Sequence, residues 1–128
     1  MARISPISRE NAPAEQREAF DAFVAERGGV PPPGPLAVIL NAPEMLARGE
    51  HLRACLRGDS VSLAAQIREL AMVVTARENG CRYIWHAHAA AARRAGLSDD
   101  LVNSLRDKRR LTGLSAEETA VVEFGREY

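Results

Sequence analysis

Apolar residues recur every three or four positions along most of the chain, which is the spacing that one side of an α-helix requires. Within residues 13–29, Phe20 and Phe23 follow this spacing, and the Gly28-Gly29 pair suits the end of a helix. No segment alternates apolar and polar residues as a strand does, and the chain contains no repeat or low-complexity tract. The pattern predicts an all-α fold.

Prolines divide the first half of the chain. Residues 30–35 read VPPPGP, and because proline lacks the amide donor, this segment is predicted to be a stiff loop, with a pocket rim as the alternative. Residues 36–58 predict a short helix, a break before Pro43 and a second helix that continues to about Arg57.

The second of these helices carries one of the two cysteines. Cys55 lies among apolar residues that include Leu46 and Leu52. This setting favours a small buried hydrophobe over a reactive thiol. His51 in the same helix is expected at the surface or at its boundary rather than in a catalytic site.

The second half of the chain predicts a helical hairpin. Its first helix is expected to begin after a cap at Ser60 or Ser62 and to end at residue 79. The pair at 79–80, Asn-Gly, is a helix stop and a turn signal. A further helix is expected over about residues 81–94.

Two serines predict the starts of the last helices. Ser98 precedes two aspartates, which favour the positive end of a helix. Ser115 and Glu118 have the spacing of a capping box. The final helical pattern still continues at Tyr128, so we expect a single domain over 1–128 that is C-terminally truncated.

Charge excludes some classes of partner. The chain has 17 Lys plus Arg and 17 Asp plus Glu, so its formal net charge is zero. A balanced chain gives no electrostatic reason to expect nucleic acid or an anionic membrane. The basic run at 106–110, RDKRR, is the local exception, and because no aromatic residue interleaves it, a solvated connector is favoured over a phosphate-binding patch.

The sequence also bears on location. No apolar run approaches the roughly 20 residues that span a bilayer. Residues 1–10 lack the apolar core of a signal peptide. Two cysteines cannot build a disulfide-rich scaffold, so reduced thiols and a cytoplasmic protein are expected.

The hairpin contains the candidate chemistry, beginning with Glu69 and His88. Glu69 lies ten positions before Asn79 and His88 eight positions after Gly80, which places them about 15 and 12 Å from the turn at 1.5 Å per residue. Because the two side chains lie at nearly the same level, a carboxylate–imidazole hydrogen bond is within reach. Such a bond would also give the buried carboxylate a partner and fix the tautomer of His88.

Cys81 is the second candidate. It is expected in the first turn of its helix, where the dipole and free amides stabilise a thiolate, and Arg82 could add to that. Cys81 and His88 share a helix face but are separated by about 10.5 Å along it, too far for a direct bond. Ile84 lies between them, where a proton relay would need a polar group or an ordered water.

The remaining polar and aromatic residues of this helix have less distinctive settings. His86 points about 160° away from His88 and is expected at the surface or an interface. Tyr83 and Trp85 are expected to pack or to form a subunit contact, with a pocket wall as the alternative. Histidines two apart do not match the i, i+4 spacing of helical zinc ligands, so no metal is expected.

Residues 68–98 resemble the carboxymuconolactone decarboxylase family, which also contains the alkylhydroperoxidase D-like proteins. The peroxidase branch has the pattern E-x11-C-x-x-C-x-x-x-H, which Glu69, Cys81 and His88 match and Ile84 breaks at the second cysteine. Another branch reads G-C-x-Y-E-W-x-x-H. The stretch GCRYIWHAH matches that second pattern at Gly80, Cys81, Tyr83, Trp85 and His88. The likeness runs from about Asn41 to Leu105.

The resemblance implies an all-α fold that assembles as trimers or hexamers with sites near subunit contacts. It implies two kinds of activity: thiol peroxidase chemistry with a cysteine pair, and decarboxylation of a small lactone acid. Because the second cysteine is missing, we favour a cofactor-free lyase or related acid–base enzyme acting on a small organic acid. In that hypothesis Glu69 holds His88 as the acid or base, and Arg82 or another arginine anchors a carboxylate.

Two alternatives remain open. Cys81 could act as a one-cysteine peroxidase that uses an external thiol. Ile84 could instead mark a non-catalytic oligomeric protein that binds a ligand. The candidate site residues are Glu69, Cys81 and His88 for catalysis, and, for substrate binding, Arg82, Tyr83 and Trp85.

Overall fold

The computed structural model describes residues 4–5, 7–32, 34–58 and 63–127 of the 128-residue chain. A short 3-10 helix, Ala14–Gln16, precedes seven α-helices in this part of the chain. They are α1 (Arg17–Arg27), α2 (Pro35–Ile39), α3 (Pro43–Arg57), α4 (Ala65–Glu78), α5 (Arg82–Arg94), α6 (Asp99–Arg106) and α7 (Ala116–Glu127). No strand occurs among the described residues, and the all-α prediction is confirmed.

The helices belong to two compact units, Met1–Val61 and Ser62–Tyr128. The expected single domain over residues 1–128 stays a prediction. No helix in the described part of the chain is long and apolar enough to cross a membrane.

The first unit is built by α1, α2 and α3. Phe20 and Phe23 on α1 are buried, as the helical spacing predicted, and they share a core with Leu40 and Leu46. Gly28 ends α1 in the left-handed conformation, with φ of 73°. Glycine adopts this conformation without the steric cost that a Cβ imposes.

The predicted burial of Cys55 is wrong. Its thiol is free and its side chain is exposed. The buried side of α3 contains Leu46, which is nine positions away and therefore about half a turn round the helix from Cys55. Leu52, which we expected on the same apolar side, is 62% exposed. His51 is exposed, as predicted.

The second unit is built around α4, which packs against α5, α6 and α7. Leu70, Val73 and Val74 of α4 are fully buried in its core. They contact apolar residues from the other three helices, which include Ala92, Val102 and Val122. Burial on several sides of α4 leaves little room for a polar residue without a partner.

The cap predictions for the last helices are confirmed. The hydroxyl of Ser98 accepts a hydrogen bond from the Leu101 amide at 3.2 Å. Ser115 and Glu118 form the reciprocal capping box, with the Glu118 amide 3.1 Å from the Ser115 hydroxyl and the Ser115 amide 2.8 Å from the Glu118 carboxylate. For α4 the predicted caps Ser60 and Ser62 lie outside the described residues, and Ala64 occupies the N-cap position.

The basic run at 106–110 is exposed and forms surface ion pairs. Arg106 binds Asp107 at 2.7 Å, and Lys108 binds Glu78 at 3.0 Å. Lys108 has a φ of 52°, which is unusual for a residue with a Cβ. The ion pairs agree with a solvated connector along most of this run.

Candidate functional site

Glu69 and His88 form a hydrogen bond between α4 and α5. The turn at Asn79-Gly80 reverses the chain, and Gly80 supports it with a φ of 63°. The distance between Glu69 Oε2 and His88 Nδ1 is 2.8 Å, and the side chains are 19% and 13% exposed, respectively. The contact expected from the hairpin geometry is therefore present.

This bond determines which imidazole nitrogen is free. An ionised carboxylate can only accept a hydrogen bond, so Nδ1–H of His88 is the donor to Glu69. Nε2 is left as the nitrogen that can exchange a proton with a bound molecule. A carboxylate that orients an imidazole in this way is a common arrangement for general acid–base chemistry.

Cys81 immediately precedes α5, seven positions before His88. It is the N-cap residue, and α5 begins at Arg82, so the thiol is one position before the first turn in which we expected it. The side chain is half-buried and free of any disulfide. Ile84, also half-buried, lies between Cys81 and His88 in the chain, and no polar side chain takes its place.

An open depression of about 840 Å³ lies over Cys81. The candidates Cys81, Arg82, Tyr83 and Trp85 all line it. Among the residues that the structure describes, its lining consists of Ala76, Arg77, Gly80, Cys81, Arg82, Tyr83, Trp85, His86 and Arg106. We call this feature the Cys81 depression.

The Glu69–His88 pair is not part of this lining. The structure therefore divides the predicted site residues into two groups. Cys81 lies with the proposed substrate-binding residues around the depression, and Glu69 pairs with His88 outside it. The two groups are linked by α5, which carries His88 and begins immediately after Cys81.

Three residues of the depression with polar or charged side chains were not predicted as site residues. His86 was expected at a surface or interface, and it is exposed, yet it lines the depression. Arg77 is the second-to-last residue of α4, four positions from Cys81, and this proximity in sequence could have identified it. Arg106 belongs to α6 and reaches the depression only through tertiary packing, so no sequence signal marked it.

The aromatic walls differ in their burial. Tyr83 is 53% exposed, whereas Trp85 is half-buried and packs against the core of the second unit. Trp85 packs against the core, as expected, and it also forms part of the wall of the depression, which was the alternative.

The arginines give the depression a positive character. Arg106 donates two hydrogen bonds to Asp107, at 2.7 and 3.1 Å, and these bonds hold the pKa of the Asp107 carboxyl below its usual range. Arg77 instead donates its Nε–H to the backbone carbonyl of Arg106 at 2.7 Å. Among the residues that the structure describes, His, Cys, Asp and Glu side chains form no group of three or more that could hold a metal ion.

The model of the carboxymuconolactone decarboxylase family matches residues 43–127. The match begins with α3 and continues to the end of α7. The chain belongs to the carboxymuconolactone decarboxylase family. Membership confirms the resemblance drawn from the hairpin and extends it beyond Leu105, while no curated protein matches the chain.

Proposed function

We propose that this member of the carboxymuconolactone decarboxylase family is a cofactor-free enzyme that performs acid–base chemistry on a small organic acid. The observation that carries the proposal is the 2.8 Å bond between Glu69 and His88. It orients an imidazole in a mostly buried position and leaves Nε2 available for proton transfer.

The proposed reaction is loss of carbon dioxide from an activated carboxylate. The carbon–carbon bond to that carboxylate breaks, and its electron pair passes into the conjugated system of the remaining acid. His88 acts from its charged imidazolium form: it gives the Nε2 proton to carbon, becomes neutral with Nδ1–H still bound to Glu69, and regains a proton at Nε2 from water. Glu69 holds the ring throughout and stabilises the charged imidazolium that proton exchange creates.

Substrate binding is assigned to the Cys81 depression. Arg82 supplies a guanidinium group for a carboxylate, and Tyr83 with Trp85 supplies aromatic surface. Because His88 does not line the depression of the single chain, the substrate is proposed to extend along the face of α5 that carries both Cys81 and His88. A homo-oligomer, trimeric or hexameric, is part of the proposal, since neighbouring subunits would enclose the open depression; cytoplasmic location stays a prediction.

A one-cysteine thiol peroxidase is the second candidate, and the position of Cys81 favours it. A free, half-buried thiol lies at the start of a helix and lines the open depression together with arginines, where a hydroperoxide can reach it. The thiolate would attack a hydroperoxide, releasing an alcohol and leaving a sulfenic acid. Two molecules of an external thiol would then restore Cys81, giving water and a disulfide, because residue 84 supplies no second cysteine.

Two substitutions separate the candidates. The lyase proposal expects His88→Asn to lower carbon dioxide release from small lactone acids by 100-fold or more and Cys81→Ser to leave it within threefold. The peroxidase candidate expects Cys81→Ser to abolish thiol-dependent consumption of hydrogen peroxide. Helical content measured by circular dichroism and mass measured by light scattering verify that each variant retains its fold and assembly. Unchanged decarboxylation by the His88 variant would remove His88 from the mechanism.

A further inference from the structure

Three arginines from three different helices line the Cys81 depression. Arg77 is near the end of α4, Arg82 begins α5 and Arg106 ends α6. The proposed function uses only Arg82. Whether Arg77 and Arg106 can also bind a ligand depends on whether each already has an acidic partner.

Arg106 is already neutralised by a partner. Its Nε and one terminal nitrogen both donate to the Asp107 carboxylate, which is a two-point ion pair. An anionic ligand would have to compete with this neighbouring carboxylate for the Arg106 guanidinium. We therefore assign Arg106 no ligand contact through its side chain.

Arg77 is held in place without being neutralised. Its Nε–H donates to the backbone carbonyl of Arg106 at 2.7 Å, and a carbonyl carries no net charge. Among the described residues, no carboxylate lies within 4.0 Å of the nitrogens of Arg77 or Arg82. The backbone bond fixes the direction of the Arg77 guanidinium and leaves its terminal nitrogens for another acceptor.

We propose that Arg77 is a specificity-determining residue that binds an anionic group of the ligand in the Cys81 depression, beside the anion bound by Arg82. Two guanidinium groups that have no carboxylate within 4.0 Å favour a ligand with two negative groups over a ligand with one. A ligand with one carboxylate satisfies only one arginine. The identity of the ligand as an organic acid rests on the proposed function, whereas anion binding by Arg77 can be measured without turnover.

Trp85 offers a direct readout of occupancy. It is the only tryptophan of the chain and it lines the depression, so ligand binding is expected to change the intrinsic fluorescence of the protein. Glutarate and butyrate serve as probes, because they have similar chains and differ in the number of carboxylates. The full-length assembly should bind glutarate at least tenfold more tightly than butyrate at neutral pH and low salt.

Arg77→Gln is expected to weaken glutarate binding by about tenfold, because the second carboxylate loses one charge-assisted hydrogen bond. Butyrate binding should change by less than twofold, because its single carboxylate binds Arg82. The control Arg94→Gln removes the same charge from the far end of α5, where the side chain is exposed and outside the depression. It should leave both affinities within twofold of the unchanged protein. Arg77→Lys keeps the charge and should retain part of the preference even if Arg77→Gln disturbs the bond to α6.

Equal affinities for the two probes in the unchanged protein would overturn the inference. So would equal losses in Arg77→Gln and Arg94→Gln, because the effect would then reflect overall charge alone. A protein that shows the glutarate preference but no turnover would refute the proposed function and leave the role of Arg77 standing.

Discussion

Glu69 and His88 are 19 positions apart in the chain, yet their side chains meet at 2.8 Å across the α4–α5 hairpin. Both side chains are mostly buried, at 19% and 13% exposed. A polar contact in such a position affects stability as well as chemistry, because each partner loses water when the helices pack. The pair can therefore be tested without a substrate.

Glu69→Gln is expected to lower the free energy of unfolding of the second unit by about 1–2 kcal/mol, since a bond from a charged carboxylate is replaced by a weaker neutral one. Urea unfolding followed by circular dichroism measures the change. Glu123→Gln is the control, because this exposed residue of α7 should contribute less than about 0.5 kcal/mol. Nitrogen-15 spectra should show the neutral His88 ring protonated at Nδ1. A ring protonated at Nε2 would contradict the assigned donor.

Ile84→Cys should create a pair of thiols that oxidises to a disulfide. Residue 84 lies three positions after Cys81 at the start of α5, where side chains at this spacing are neighbours. Mild peroxide should remove both thiols of the pair, as counted by a thiol label and by mass spectrometry. The control Tyr83→Cys places the new thiol two positions from Cys81, on another side of the helix, and should form no internal disulfide. Failure of Ile84→Cys to oxidise would show that the assigned helix face is wrong.

Gly125 allows α7 to approach α4 closely. A Cβ at this position would lie 2.8 Å from Val74 Cγ1, and Val74 is fully buried. Gly125→Ala is therefore expected to destabilise the protein by about 1–3 kcal/mol, because the buried neighbour cannot move aside freely.

Gly49→Ala is the matched control for Gly125→Ala. Gly49 lies within α3, and a Cβ there would meet no atom within 4 Å. Alanine at this exposed position should stabilise α3 by about 0.5–1 kcal/mol through its better helix propensity. In thermal unfolding, the midpoint temperature should fall for Gly125→Ala and rise for Gly49→Ala. Equal effects would show that the α4–α7 contact is looser than 2.8 Å implies.

Lys108 occupies a backbone conformation that favours glycine. Its φ is 52°, and its side chain forms an exposed ion pair with Glu78 at 3.0 Å. Lys108→Ala loses the ion pair and keeps the strained φ, whereas Lys108→Gly loses the ion pair and relieves the strain. Glycine should therefore be the more stable of the two by about 1 kcal/mol, as measured by urea unfolding. Equal stabilities of the Lys108→Ala and Lys108→Gly variants would refute the strained conformation at Lys108.

The first unit should lose stability in acid through Glu50. Hydrogen bonding from Arg53 is the main cause that lowers the pKa of Glu50 from its ordinary value of 4.5, and Arg27 adds to it. A carboxyl whose pKa is lowered in the folded state stabilises the fold above its unfolded pKa and loses that contribution as the pH falls through the folded value.

Glu50→Gln tests this contribution. At pH 7 the variant should be less stable by roughly 0.5–1 kcal/mol, a screened value because its arginine partners are partly exposed. The difference should shrink as the pH falls below about 4.5, the unfolded pKa. Urea unfolding at a series of pH values measures it, and a difference that persists unchanged at the acid end would assign the loss to packing instead.

Local rules predicted much of the fold. Pro43 marked the start of α3 and the Asn79-Gly80 pair marked the end of α4. The serines at 98 and 115 marked the starts of α6 and α7. These features depend on neighbours in sequence, because capping and turn geometry are made within a few residues.

The contact between Glu69 and His88 could also be derived from the sequence. The rise per residue of an α-helix is constant, and the turn at 79–80 is short, so the hairpin determines which residues of its two helices lie at the same level. The family patterns around Cys81 and His88 follow from residue identity alone.

Tertiary structure decided the rest. Arg106 lines the Cys81 depression only because α6 packs beside α4, and the same packing fixes Arg77 through the Arg106 carbonyl. Exposure of Cys55 likewise depends on which side of α3 is covered. Helical periodicity specifies the angle of each residue round its own helix, but which angle meets another helix, and which stays open, is determined by how the helices pack in three dimensions.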